Sequence, residues 1–310
     1  MAFTEGVIFS PLNKSFSINL KQFFTMNNTT YRSGKPLFFV LIAFLLFYQP
    51  LQLLAQTADS VVFKTGYITV NGAKLFYKEA GEGNPMLFVH GATGTSQGHF
   101  GTQIDEFAKK NRVIAIDLRG HGRSTLPDED FSMNLFADDV NKFLDELKLD
   151  SITYIGFSLG GMVGLYLAVT HPEKIKKLIT IGAVANHEGF KYNAMDAVRS
   201  WLSDDMTKYL KRSFTDNPNP EKIPDYQKKI TTMVITQNEP KLSENAIKKI
   251  KCPTLLICGD TDGFIKIEHQ VHLFNTIAIS DLLILPKTGH AAHLIQPEIV
   301  KKAIWDFISR

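Results

Sequence analysis

From residue 85 onward the chain carries short, unbroken apolar runs: Met86–Val89, Val113–Ile116, Ile152–Ile155, Leu178–Ile181, Thr254–Cys258 and Leu282–Leu285. Runs this short, without polar alternation, predict strands buried on both faces. Segments with helical spacing lie between most of them, among them Leu135–Leu147, Gly160–Val169 and the terminal Pro297–Ile308. Strand and helix in alternation predict an α/β fold, a mostly parallel sheet with helices on both faces. Ahead of this region Gly66–Val70 and Lys74–Tyr77 flank Asn71-Gly72. That dipeptide suits a two-residue hairpin turn, because both residues tolerate positive φ. The domain is therefore expected to open with antiparallel strands.

One interval breaks the alternation. Between Ile181 and Thr254 lie amphipathic stretches at Tyr192–Leu210, Pro224–Thr236 and Ser243–Ile250, with no convincing strand. A loop of that length without structure of its own is uncommon. We read residues 184–250 as a helical cap inserted at the carboxyl end of a strand, where ligands of open α/β sheets bind. Residues 56–183 and 251–310 are then the α/β core. The aromatics of the insertion, Tyr192, Trp201, Tyr209, Phe214 and Tyr226, are expected to line an apolar pocket, with some of them in the core.

Residues 1–55 follow different rules. Arg32 and Lys35 precede an apolar run from Leu37 to Tyr48, Gln49-Pro50 breaks it, and Leu53-Leu54-Ala55 ends on a small residue. A basic stretch, a short apolar stretch and a small-residue exit are the layout of a secretory signal peptide. We expect export, with a mature N-terminus near Gln56. The run alone falls short of the roughly 20 apolar residues a spanning helix needs. Continued past the proline, residues 37–55 make a retained membrane anchor, and a buried helix is the third reading. Met26 is a second candidate start.

At 310 residues and 44% hydrophobic content the chain can bury one large core. No repeat or low-complexity run is present, so solenoid and disordered classes are set aside. The formal net charge of +3 belongs to the leader: of 34 basic and 31 acidic side chains, four and one fall in residues 1–55. The remainder is balanced and carries no electrostatic footprint for nucleic acid or an anionic membrane. A small-molecule substrate is the expected partner, with a membrane only if the leader stays attached. Cys252 and Cys258 bracket one strand, and at about 3.3 Å rise per residue they stand too far apart for a disulfide.

The chemistry concentrates at strand ends. Gly156-Phe157-Ser158-Leu159-Gly160 is a G-x-S-x-G pattern between an apolar strand and a helix. Alone the pattern is weak; in that setting it is a nucleophile elbow, with Ser158 as nucleophile. No following lysine and no G-x-G-x-x-G spacing supports a phosphate loop. A serine hydroxyl needs a base. Of nine histidines, His290 follows the last strand and Gly289, whereas His293 falls in the next segment. His290 is the preferred general base. The acid should precede it at another strand end. Asp262, beside Gly263, is preferred as the carboxylate that orients His290, and Asp260 is expected to cap its own turn. For the oxyanion, the expected donors are the backbone N–H groups of Leu159 and of Ala92, in the loop His90–Gly94. His90 is read as a packed support, and Asp117–Ser124 as a charged turn in which Arg119 and Arg123 pair with carboxylates. No cofactor and no metal ligand set is expected.

At these residues the chain resembles the α/β-hydrolase superfamily. The likeness runs from about Tyr67 to Ile308, through His90-Gly91, Asp117–Ser124, Gly156–Gly161, Gly259–Asp262, Gly289-His290 and Gln296-Pro297-Glu298 in family order. The resemblance implies an eight-stranded, mostly parallel sheet, a cap after the sixth strand, and a triad on Ser158, Asp262 and His290. It is similar to the capped esterases, enol-lactonases and cofactor-free haloperoxidase-like enzymes. Haloalkane dehalogenases and epoxide hydrolases carry aspartate where Ser158 stands. Proline iminopeptidases and ring-cleavage C–C hydrolases carry glycine-proline-glycine motifs that His90-Gly91-Ala92-Thr93-Gly94 lacks. The resemblance implies a serine esterase or lactonase; C–C bond hydrolysis is a minor alternative, and a slow ligand-binding receptor is the alternative of a different class.

Overall fold

The computed structural model describes residues 61–191 and 194–310. The expected leader and Tyr192 lie outside the described residues. Eight strands form one sheet: β1 (Lys64–Val70), β2 (Ala73–Ala80), β3 (Pro85–Val89), β4 (Arg112–Ile116), β5 (Ile152–Phe157), β6 (Ile175–Ile181), β7 (Thr254–Gly259) and β8 (Ser280–Leu285). Their order is β1-β2-β4-β3-β5-β6-β7-β8. The pairings of β1 with β2 and of β2 with β4 are antiparallel, and every other pairing is parallel. Asn71 (φ 44°) and Gly72 (φ 71°) make the hairpin turn at the start, the positive-φ pair that matches strand twist.

The helices, in chain order, are α1 (Ser96–Ala108), α2 (Met133–Glu146), α3 (Leu159–Thr170), α4 (Ala194–Ser200), α5 (Asp204–Ser213), α6 (Ile223–Thr231), α7 (Glu244–Ile247), α8 (Ile267–Thr276), α9 (Ala292–Ile295) and α10 (Pro297–Ile308). Side-chain caps set several starts: Thr95 accepts from Gly98 N at 3.0 Å ahead of α1, and Ser132 from Leu135 N at 3.1 Å ahead of α2. Helices α4 to α7 stand between β6 and β7, where the sequence predicted an insertion.

Alternate strand residues feed two cores because successive side chains point to opposite faces. On one face Leu87, Val89, Ile114, Ile116, Tyr154, Leu178 and Leu256 pack with α2, α3 and α8. The insertion joins this core through Leu210, Phe214, Tyr226, Ile230 and Met233. On the other face Met86, Phe88, Val113, Ile155, Phe157, Ile179 and Ile257 pack with α1 and α10. Both faces of the central strands are thus dry, which is why their sequences read as unbroken apolar runs.

The Asp117–Ser124 turn is tied into this frame. Arg119 and Asp139 of α2 are both fully buried, with Nε to Oδ2 at 2.5 Å and Nη2 to Oδ1 at 2.6 Å. Arg123 reaches Asp216 of the insertion at 2.6 Å. Asn71 Nδ2 adds a bond to Asp139 Oδ1 at 2.9 Å, linking the hairpin turn to α2. Arg119→Leu would strand a buried carboxylate, and we expect a loss of about 3–5 kcal/mol. Urea denaturation checks this, and a loss under about 1 kcal/mol would place the pair among the inconsequential ones.

Candidate active site

Ser158 closes the turn between β5 and α3 with φ 48° and ψ −115°, a left-handed conformation that costs a non-glycine residue about 1–3 kcal/mol. Its neighbours permit it. A Cβ on Gly156 would overlap the Gly160 carbonyl, and a Cβ on Gly160 would overlap that of Val89. Ser158 N donates to Ile181 O at 2.8 Å, and its carbonyl accepts from Met162 N at 2.9 Å. The strain is held by surrounding bonds and sets Ser158, half-buried, at the strand's carboxyl end.

His290 lies on the loop after β8, and its Nε2 is 3.0 Å from Ser158 Oγ. Its Nδ1 is 2.8 Å from Asp262 Oδ2 on the loop after β7. Asp262 is fully buried, and its Oδ1 accepts from Phe264 N at 2.7 Å and Ile265 N at 3.2 Å. An acid, an imidazole and a hydroxyl in this chain can pass a proton from the hydroxyl to the ring while the carboxylate stabilises the resulting imidazolium.

Asp260 is used differently. It is half-buried, and its Oδ1 accepts from Thr288 N at 3.1 Å, in the loop that carries His290. Backbone N–H groups of Lys287 and Thr288 hold its carboxyl below the usual range. The sequence placed it as a cap of its own turn; the N–H of Thr261 and its own N–H do face the carboxyl, and it also ties across to the neighbouring loop, a contact that the β7–β8 pairing creates. His293 stands on α9, buried against Phe157 and Phe100, with burial pulling its pKa down to about 3.

Ala92 and Leu159 both line the cavity above Ser158. Leu159 opens α3, where the first N–H groups have no intrahelical acceptor. The Ala92 loop is pinned from several sides. Gly91 carbonyl accepts from Gly94 N at 3.2 Å and faces His90 Nδ1 at 2.8 Å, while Gly91 N donates to His99 Nδ1 at 3.0 Å. His90 is buried, and its Nε2 accepts from Leu118 N at 3.0 Å. His99, which sequence reasoning did not single out, also lines the cavity. With Nδ1 accepting, its proton sits on Nε2; burial, with His121 and His290 nearby, draws its pKa down to about 4.

The cavity measures about 390 Å³. Its far wall comes from the insertion: Val198, Trp201, Met206, Tyr209, Ile230 and Met233. Of the aromatics predicted for this wall, Trp201 and Tyr209 line it. Phe214 and Tyr226 do not, being buried against His121 and each other. None of the described lining residues is a lysine or arginine, and the one carboxylate, Glu239, is buried and accepts from Met133 N at 2.8 Å. The insertion also reaches the acid loop. Phe190 bridges Ile265, Lys191 N donates to Phe264 O at 2.8 Å, and Lys191 Nζ bonds the Asp262 carbonyl.

The sequence profile described as alpha/beta hydrolase fold matches residues 84–217. Among curated proteins, the chain is 26% identical to 2-hydroxy-6-oxo-6-(2'-aminophenyl)hexa-2,4-dienoic acid hydrolase of Metapseudomonas resinovorans, over 79% of this chain and 90% of that one. It is 27% identical to Serine hydrolase BPHL of Homo sapiens, over 78% of this chain and 85% of that one. Among solved structures it is similar to a serine hydrolase involved in carbazole degradation (CarC enzyme), with a TM-score of 0.69 and 24% identity, covering 80% of this chain and 99% of that one. Sheet order, elbow and these likenesses agree: the chain belongs to the α/β-hydrolase superfamily, a family of hydrolases.

Proposed function

We propose that this hydrolase works through an acyl-enzyme on a neutral, partly apolar carboxylic ester or lactone. One observation carries the reading: Ser158 Oγ, His290 and buried Asp262 are joined by hydrogen bonds of 3.0 and 2.8 Å at the floor of an apolar cavity. In this mechanism Ser158 Oγ attacks the carbonyl carbon while its proton passes to His290 Nε2. The N–H groups of Leu159 and Ala92 receive the developing oxyanion. Collapse expels the alkoxide, which takes the proton from His290. Water, deprotonated by the same ring, then releases the acid and restores Ser158.

The neutral substrate is argued from the walls. A carboxylate-bearing substrate, such as the dienoic acid in the first relative's name, would be buried here without a cation beside it, and an unpaired buried charge is costly. Residues 184–250 act as the cap that selects the acyl or alcohol group. Hydrolysis of p-nitrophenyl esters of increasing chain length, set beside a 2-hydroxy-6-oxo-dienoate, tests both points. We expect the esters to be turned over and the dienoate not. Trp201→Ala should shift the preference toward longer chains, by about 10-fold in relative kcat/KM, the scale of one or two methylenes in an apolar pocket. Turnover of the dienoate with the esters left intact would replace ester by C–C hydrolysis. Binding of esters without turnover would favour the receptor alternative.

A further inference from the structure

Tyr226 crosses from the insertion to the Ala92 loop. It stands on α6, fully buried, with its ring edge-on to His121 at 4.7 Å between centroids. Its hydroxyl bonds the Ala92 carbonyl and lies 2.8 Å from His121 Nε2. His121 Nε2 is itself 2.8 Å from that carbonyl, and its Nδ1 is 2.9 Å from Arg119 O. Two carbonyls and a hydroxyl therefore surround one ring.

Counting protons shows what holds the Ala92 carbonyl. Burial, with His90 beside it, draws His121 down to about 3, so the ring is neutral near pH 7 and carries one proton. Placed on Nε2, that proton points at the Ala92 carbonyl and leaves Nδ1 bare against the Arg119 carbonyl. Placed on Nδ1, it satisfies Arg119 O and leaves Nε2 bare against the Ala92 carbonyl. In either tautomer the Tyr226 hydroxyl donates to the Ala92 carbonyl, and with the ring proton on Nδ1 it is the side-chain donor on which that carbonyl depends.

The consequence reaches the preceding peptide. Gly91 carbonyl is held by Gly94 N and His90 Nδ1. In a planar trans peptide the C=O and the following N–H point oppositely, so the Ala92 N–H faces away from those two partners. With the Ala92 carbonyl also held, neither peptide flanking Ala92 can rock. We infer that Tyr226 is a positioning residue for acyl transfer, keeping the Ala92 N–H aimed at the oxyanion, so that the insertion contributes to rate as well as to substrate choice. This rests on the serine-hydrolase reading above.

Tyr226→Phe keeps the buried ring and removes one oxygen. Four quantities are measured with a neutral p-nitrophenyl ester: kcat, KM, the inhibition constant of an alkylboronic acid that forms a tetrahedral adduct on Ser158, and that of the matching primary amide, which forms none. We expect kcat to fall about tenfold, a fraction of the cost of losing an oxyanion donor outright. Boronic acid affinity should fall by about the same factor, with KM and amide affinity changed by less than about twofold. Wild-type kcat in the variant would overturn the inference, as would boronic acid and amide weakening together. So would Phe214→Leu giving the same pattern, since that change loosens the packing around Tyr226 and leaves its hydroxyl in place. Wild-type protein that neither hydrolyses the ester nor forms the adduct would instead defeat the serine-hydrolase reading itself.

Discussion

Replacing Ser158 with alanine is expected to abolish covalent labelling by a fluorophosphonate and to lower ester turnover by on the order of 10⁶, the loss seen when a serine triad loses its nucleophile. The argument is local. Ser158 Oγ is the group that His290 Nε2 meets at 3.0 Å, and alanine keeps the Cβ that the elbow already accommodates at φ 48°. The fold should therefore survive, and melting curves of the two proteins should nearly coincide. Mass spectrometry of the labelled wild-type protein should place the adduct on the peptide containing Gly156–Gly161. Labelling elsewhere, or turnover retained in the variant, would overturn the mechanism.

Much of this arrangement is legible in the sequence, for reasons that differ from residue to residue. The strands β3 to β7 are readable because both faces are buried, so no polar alternation obscures them. Asn71-Gly72 announces the first hairpin through its positive φ values. Ser158, Asp262 and His290 each stand just past a strand with a glycine close by, and a parallel sheet brings carboxyl ends of strands together. What is not legible depends on packing between distant segments. Phe214 and Tyr226 belong to the same insertion as Trp201 and Tyr209, and nothing local says that the first pair packs on His121 while the second lines the cavity. His99 sits in α1 among glycines and polar residues, and its bond to Gly91 N appears only when the loop after β3 folds back onto that helix. Asp260 finds its partner on a loop that follows a different strand.

The two aspartates of the β7 loop offer the second large expected effect. Asp262→Asn should leave a folded protein with kcat lowered by on the order of 10⁴. The carboxylate's Oδ1 accepts from Phe264 N and Ile265 N, and an amide oxygen takes over both bonds, which fixes the amide nitrogen toward His290 Nδ1. A donor at that position forces the imidazole to accept at Nδ1 and to carry its proton on Nε2. The ring then has no lone pair for the Ser158 proton, and the positive ring formed during attack loses its counter-charge. Asp260→Asn should cost less than about tenfold, because its side chain holds Thr288 N through one oxygen, a bond that asparagine also makes. Melting curves of both variants separate a chemical loss from unfolding. If Asp260→Asn is well folded and inactive while Asp262→Asn turns over normally, the carboxylate that orients His290 is not Asp262, and the hydrogen bond at 2.8 Å between them serves the loop rather than the reaction.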